Sequence, residues 1–159
     1  MTKLHSPGSI FRFRWLLLVV VLIPLLTTLT GCSAGGTSSN QDLKMAPMAG
    51  MPAEVQQAPV SVREAYQFAV ANPDALKNVP CYCGCGAVGH TSNYSCYVKD
   101  VKPSGEIVFD QHALGCSICV DIAQDVMKMT REGKTPGEIR AAIDQTYSQY
   151  GSSNMPSTQ

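Results

Sequence analysis

Three cysteines stand within five residues in Cys81-Tyr82-Cys83-Gly84-Cys85, and three more follow at Cys96, Cys116 and Cys119. Six thiols held that close in sequence limit the fold severely, because each must end up bonded, metal-bound or kept as a free thiol. Glycines at 84 and 86 let the backbone bend so that the first three sulfurs can converge. His90 lies in the loop that leads to Cys96, and His112 stands four residues before Cys116. The Cys116-Ser-Ile-Cys119 dyad opens a helix, where backbone amides and the helix dipole favour a thiolate at Cys116. In one small domain these two groups of soft ligands can meet.

The domain is small. The 159 residues suffice for one core, and residues 15–29 (WLLLVVVLIPLLTTL) inflate the 45% hydrophobic content without belonging to it. Lys3, Arg12 and Arg14 precede that run and Pro24 interrupts it, so residues 1–31 read as a secretory signal. The run ends in Leu29-Thr30-Gly31-Cys32, which resembles the bacterial lipobox. That resemblance implies a lipidated Cys32 as the first mature residue, with palmitate-like chains that tie the protein to the extracytoplasmic face of the cell membrane. Two or more acyl chains anchor stably where one does not. An uncleaved single-helix anchor is the alternative, and it faces the rest of the chain outward too. Removing the three basic residues of the signal leaves nine bases against 12 acids, a net charge of −3. That balance excludes sequence-independent nucleic-acid binding, which needs concentrated positive charge.

Residues 32–59 form the lipidated N-terminus and a Ser-, Gly-, Ala- and Pro-rich stretch with only Leu43 and Val55 as aliphatic residues, and a disordered tether is expected there. Met45, Met48 and Met51 repeat at a spacing of three inside it. Thioether sulfur selects Cu(I), although methionine is equally a flexible apolar filler. The Cys-rich domain is expected over 60–151, followed by a disordered tail at 152–159. Ser61-Val-Arg-Glu64 suggests a capping box ahead of Val62, Ala65, Tyr66, Ala69 and Val70, with a stop at Asn72-Pro73 and a short turn through Leu76. Lys102-Pro-Ser-Gly105 has the turn chemistry to join two strands, Cys96–Val101 and Glu106–Phe109. Ile118, Ile122, Val126 and Met129 then line one helix face, ended by Gly133. Thr135-Pro-Gly-Glu138 caps a final helix with Ile139, Ala142, Ile143, Thr146 and Tyr150 as its stripe and Gly151 as its stop. The expected fold is a small, mainly helical α+β domain, about three helices packed on a β-hairpin, with a core modest enough to profit from cross-links or a metal.

The hexapeptide at 80–85, the lipobox, His90, Cys96 and the C-x-x-C at 116–119 together resemble the PCYCGC-motif bacterial lipoproteins. The resemblance spans most of the mature chain and names no activity. Residues 116–151, with their C-x-x-C, paired helices and terminal Tyr-Gly, are similar to the thiol-reductase subunit of cytochrome c maturation. Those reductases carry their C-x-x-C in a loop ahead of the helix pair and lack the C-x-C-x-C cluster, so their redox activity does not transfer.

Three uses of the thiols remain open. The first is disulfides, the default outside the cytoplasm. Bonds within C-x-C are strained, and if Cys81–Cys85 is excluded as well, six of the fifteen pairings survive, each bridge contributing about 2–4 kcal/mol. The second is chelation of Cu(I) or Zn(II) by Cys81, Cys83, Cys85, Cys96, Cys116 and Cys119, with His90 and His112 as imidazole donors. Cys81, Cys83, Cys116 and Cys119 make the simplest tetrahedral zinc set. The third is thiol–disulfide exchange, with Cys116 attacking and Cys119 resolving; this is the one enzymatic reading. The expected partners are a metal ion, the membrane through Cys32, and an exported metalloprotein or thiol protein. Among the other side chains, Tyr82 and Tyr94 are expected to shield the cluster and Tyr147 and Tyr150 to pack. Asp110 reads as a hydrogen-bonding partner, Asp121 as a first-turn charge and Asp125 as part of a solvated helix face. No phosphate loop and no Ser/His/Asp arrangement is present, which removes nucleotide and hydrolase readings.

Overall fold

The computed structural model describes residues 42–156. The signal sequence and Cys32 lie outside the described residues, as do the last three of the tail. Among the described residues there are five α-helices, a two-stranded antiparallel sheet and several single 3₁₀ turns. The helices are α1 (Ala53–Gln56), α2 (Val60–Ala71), α3 (Pro73–Lys77), α4 (Ser117–Arg131) and α5 (Pro136–Tyr147), and the strands are β1 (Val98–Val101) and β2 (Ile107–Phe109). No helix here is long and apolar enough to cross a membrane. The chain adopts the small, mainly helical α+β class expected from its sequence.

The core forms where α2 packs on α4 and α4 on α5. Helix α2 buries Val62, Ala65, Tyr66, Phe68 and Ala69, and α4 buries Cys119, Val120, Ile122, Ala123, Val126 and Met127. The faces follow the three- and four-residue spacing of the apolar positions, shifted so that Ile118 and Met129 lie at the rim. In α5 the buried set is Ile139, Arg140, Ile143 and Tyr147; the helix ends at Tyr147, and Tyr150, expected in the stripe, is exposed. Tyr147 packs with its hydroxyl donating to Asp125 Oδ2 at 2.8 Å, so Asp125 is a partner in the interface and not a solvated charge.

The capping box at Thr135–Glu138 forms with both reciprocal bonds. The one expected at Ser61–Glu64 does not. Pro59, in extended geometry, already offers its carbonyl to the Arg63 amide at 3.0 Å, so α2 starts at Val60 and Ser61 falls inside its first turn. The Asn72-Pro73 stop and the short following helix are as the sequence suggests. The hairpin turns at Lys102–Gly105, with Val98 opposite Phe109 and Val101 opposite Ile107 and an irregularity between Val98 and Asp100. Only Val98 of β1 is buried, so the hairpin contributes little to the core and Cys96 precedes the strand in a 3₁₀ turn.

The stretch expected to be a disordered tether is packed from residue 43 onward. Ala46 exchanges backbone and side-chain hydrogen bonds with Gln67, at 3.1 and 2.7 Å, and Asn72 Nδ2 donates to the Lys44 carbonyl at 2.7 Å. Met51 and Val55 enter the apolar core, while Met48 stays at its edge and Met45 is exposed. Met51 therefore acts as an apolar filler. The described part of the tail is ordered too: Asn154 is hydrogen-bonded to the cysteine loop. Its approach requires Gly151, where a Cβ would lie 2.7 Å from the Tyr82 carbonyl oxygen.

Candidate metal centre

The segment 80–96 has no regular helix or strand beyond two 3₁₀ turns, and its backbone is shaped by glycine and asparagine. Gly84 adopts φ +84°, a left-handed conformation that side-chain-bearing residues rarely take, and it reverses the chain between Cys83 and Cys85. Asn93 anchors the far end: its amide donates to the Val79 carbonyl at 2.8 Å and its Nδ2 to the Cys119 carbonyl at 3.2 Å. The fully buried Tyr97 donates to that same carbonyl at 2.6 Å. The first turn of α4 is thus clamped to the loop, and the dyad meets the triplet.

No two of the six described cysteines are at disulfide-bonding distance. Their sulfurs nonetheless run together. Cys81 Sγ lies 3.3 Å from Cys119 and 3.4 Å from Cys83, and Cys83 lies 3.6 Å from Cys119. Cys119 continues to Cys96 at 3.2 Å, and Cys96 to Cys85 at 3.8 Å. For comparison, bond lengths of 2.3 Å in a zinc–thiolate tetrahedron put its sulfurs about 3.8 Å apart. Cys81, Cys85, Cys96 and Cys119 are buried; Cys83 and Cys116 are half-buried.

The two histidines border the sulfurs. His112 Nε2 is 3.5 Å from Cys83 Sγ, and the rings of His90 and His112 meet edge to face with centroids 5.1 Å apart. Donor atoms of Cys83, His112, Cys116 and Cys119 all lie within 4.8 Å of one another, and so do those of Cys85, His90 and Cys96. Cys81 belongs to two further groups, one with Cys83 and Cys85 and one with Cys96 and Cys119. In the four-donor group His112 stands where the sequence suggested Cys81. An open cleft of about 630 Å³, lined by His90, Lys99, Asp110 and His112 among others, gives access from solvent to the imidazole side.

Crowding sets the protonation of the sulfurs. Hydrogen bonding from Cys119, then from Cys96, holds the Cys81 thiol far below the ordinary thiol range despite burial. Donation to Cys81 and to Cys96, then burial, pushes Cys119 up. Burial, followed by the negative charge on Cys81, pushes Cys83 and Cys85 up. A cation bound by these thiols displaces their protons.

Two residues support the donors from outside. Asp110 receives the His112 amide on Oδ1 at 2.8 Å and faces His90 Nε2 through Oδ2 at 3.4 Å. Its own backbone is fixed by its amide on the Tyr97 carbonyl and by the Tyr66 hydroxyl on its carbonyl at 2.7 Å. With Nε2 facing Asp110, His90 Nδ1 is buried and has no hydrogen-bond partner. Asn154 accepts the Cys81 amide at 2.7 Å and donates to Cys85 Sγ at 3.6 Å and to the His90 carbonyl at 3.1 Å. Asp110 has a sequence signal in its position two residues before His112. Asn154 has none. Tyr82 is buried with its hydroxyl donating to Asp144 Oδ1 at 2.7 Å, and Tyr94 carries Lys77 over its ring.

A family described as a protein of unknown function with PCYCGC motif matches residues 21–158. No curated protein and no solved structure matches the chain.

Proposed function

This chain belongs to the family of proteins of unknown function with the PCYCGC motif, and on that premise we propose that it binds a soft transition-metal ion, Cu(I) or Zn(II), through its cysteines and histidines. The observation that carries this reading is that six unbonded thiols and two imidazoles, drawn from segments up to 38 residues apart, converge on one largely buried cluster. Two thiols would suffice for redox exchange and none need converge for a tether. Cys119 is packed between the sulfurs of Cys81 and Cys96, contacts that an attacking and resolving pair does not need.

Cys81, Cys83 and Cys85 begin the chelate, Cys116 and Cys119 complete it, and His112 adds an imidazole nitrogen. Thiols lose their protons as they bind, so uptake releases acid and weakens at low pH. The lipobox resemblance supplies the setting: acylated Cys32 holds the protein at the extracytoplasmic face of the membrane, where it sequesters the ion or hands it to an exported metalloprotein. The cleft beside His90 and His112 is the side from which an ion enters or leaves.

The test is intact mass and elemental analysis of the full chain isolated without reductant, with alkylation before and after denaturation. Retained metal, with thiols that alkylate only after denaturation, is the expected result, and Cys83→Ser is expected to lower the metal content. Six fewer protons without metal would replace this reading with structural disulfides. A single labile pair at Cys116 and Cys119 would replace it with thiol exchange.

A further inference from the structure

We infer that the cluster is built for two metal ions, each bound by three cysteines and one histidine. The inference rests on the soft-metal reading above and deepens it. Eight donors are too many for one ion, since Zn(II) closes its shell with four and Cu(I) with fewer. They also divide. The group Cys83, His112, Cys116 and Cys119 shares no residue with the group Cys85, His90 and Cys96, and each has its donor atoms within 4.8 Å of one another. The first already offers the four donors that a Zn(II) ion takes.

Cys81 completes the second. Its sulfur falls within 4.8 Å of Cys85 in one group and of Cys96 in another, so all three sulfurs are within reach of one ion beside His90. The imidazole of that set is prepared for the role. Nε2 faces the Asp110 carboxylate, and the buried Nδ1 lacks any partner, a costly state for a buried polar atom that coordination would relieve. The two sets touch where Cys119 lies 3.3 Å from Cys81 and 3.2 Å from Cys96, so either ion can share a sulfur with the other.

The experiment is titration of the reduced, metal-free full chain with Zn(II), read by native mass spectrometry and by competition with a chromophoric chelator. Two Zn(II) per chain are expected in the parent. Removing one imidazole and one thiol from a single set, in Cys85→Ser/His90→Ala or in Cys116→Ser/His112→Ala, is expected to leave one. One Zn(II) in the parent overturns the two-ion inference and leaves the soft-metal reading standing; no Zn(II), with no Cu(I) taken up in a parallel titration, overturns both. Zinc X-ray absorption of the parent keeps the inference falsifiable if a variant fails to fold. An average shell of three sulfurs and one nitrogen supports it, and a shell of four sulfurs alone overturns it.

Discussion

The helical pair α4–α5 and the loop 80–96 are held by different physics. The pair is closed by apolar burial: Ile122, Val126, Met127 and Ile143 are all but removed from solvent, and a formed capping box starts the second helix. The loop is stitched by single polar residues. Asn93, Tyr97 and Asn154 hold its backbone, and its four thiols, met by Cys116 and Cys119 at the head of α4, fill the space that apolar side chains would otherwise occupy. Hydrophobic packing is indifferent to metal and to protonation, whereas a thiol cluster changes with both. The same domain thus carries an apolar half whose packing beyond the first turn of α4 does not depend on ligand, and a half whose packing does.

The largest effect that would break this comparison lies in the helical half. Ile122→Ala opens a cavity in a fully buried position and is expected to lower stability by about 2–5 kcal/mol, as read by denaturant unfolding. The loss should be the same with and without Zn(II), because the site of the cavity does not touch the donors' protonation. A loss that shrinks to nothing on metal addition would mean that the cluster, and not the apolar core, organises α4.

Asp110 gives the next effect, confined to the loop half. Asp110→Asn keeps the hydrogen bond to the His112 amide within reach of its carbonyl oxygen but removes the carboxylate facing His90 Nε2. Loss of such a carboxylate partner typically weakens metal affinity about 10–100-fold, and a reduction of that size is expected in chelator competition, with unfolding of the metal-free protein little changed. Equal weakening of folding and of binding would make Asp110 a structural residue only.

The same division explains what the sequence discloses. Helices α2, α4 and α5 announce themselves by apolar spacing, and Thr135–Glu138 announces a start, because both signals are local and repeat. The donors are legible as residue types, and the C-x-C-x-C spacing forces three of them together. Their partners are not legible. Asn154 reaches Cys81 across 73 residues, and the Gln67–Ala46 bonds pin a Ser-, Gly- and Pro-rich stretch whose composition resembles a tether. Single polar residues that satisfy a distant backbone leave no period and no motif. The use of the thiols is illegible for a related reason: compartment and count argue for bonding, but only the fold shows Cys85, Cys96, Cys119, Cys81 and Cys83 in a chain of sulfur contacts that ends on the His112 imidazole.

The smallest effect belongs to the cap of α5, and it tests the claim that the helical half ignores the cluster. Thr135→Ala removes the hydroxyl that accepts the Glu138 amide and is expected to lower stability by about 1 kcal/mol, unchanged by Zn(II). Glu138 supplies the pH dependence. The Thr135 amide, then its hydroxyl, donates to the Glu138 carboxylate and holds its pKa below the ordinary carboxylate value. A carboxyl depressed on folding stabilises above its unfolded pKa, and the contribution fades as pH falls through the folded one. Glu138→Gln keeps the box and removes the titration. Parent and variant should therefore differ slightly at neutral pH and converge in acid, in reduced metal-free protein followed by thermal unfolding. A gap that widens in acid would reverse the assigned sign, and a gap that depends on Zn(II) would tie the last helix to the thiol cluster after all.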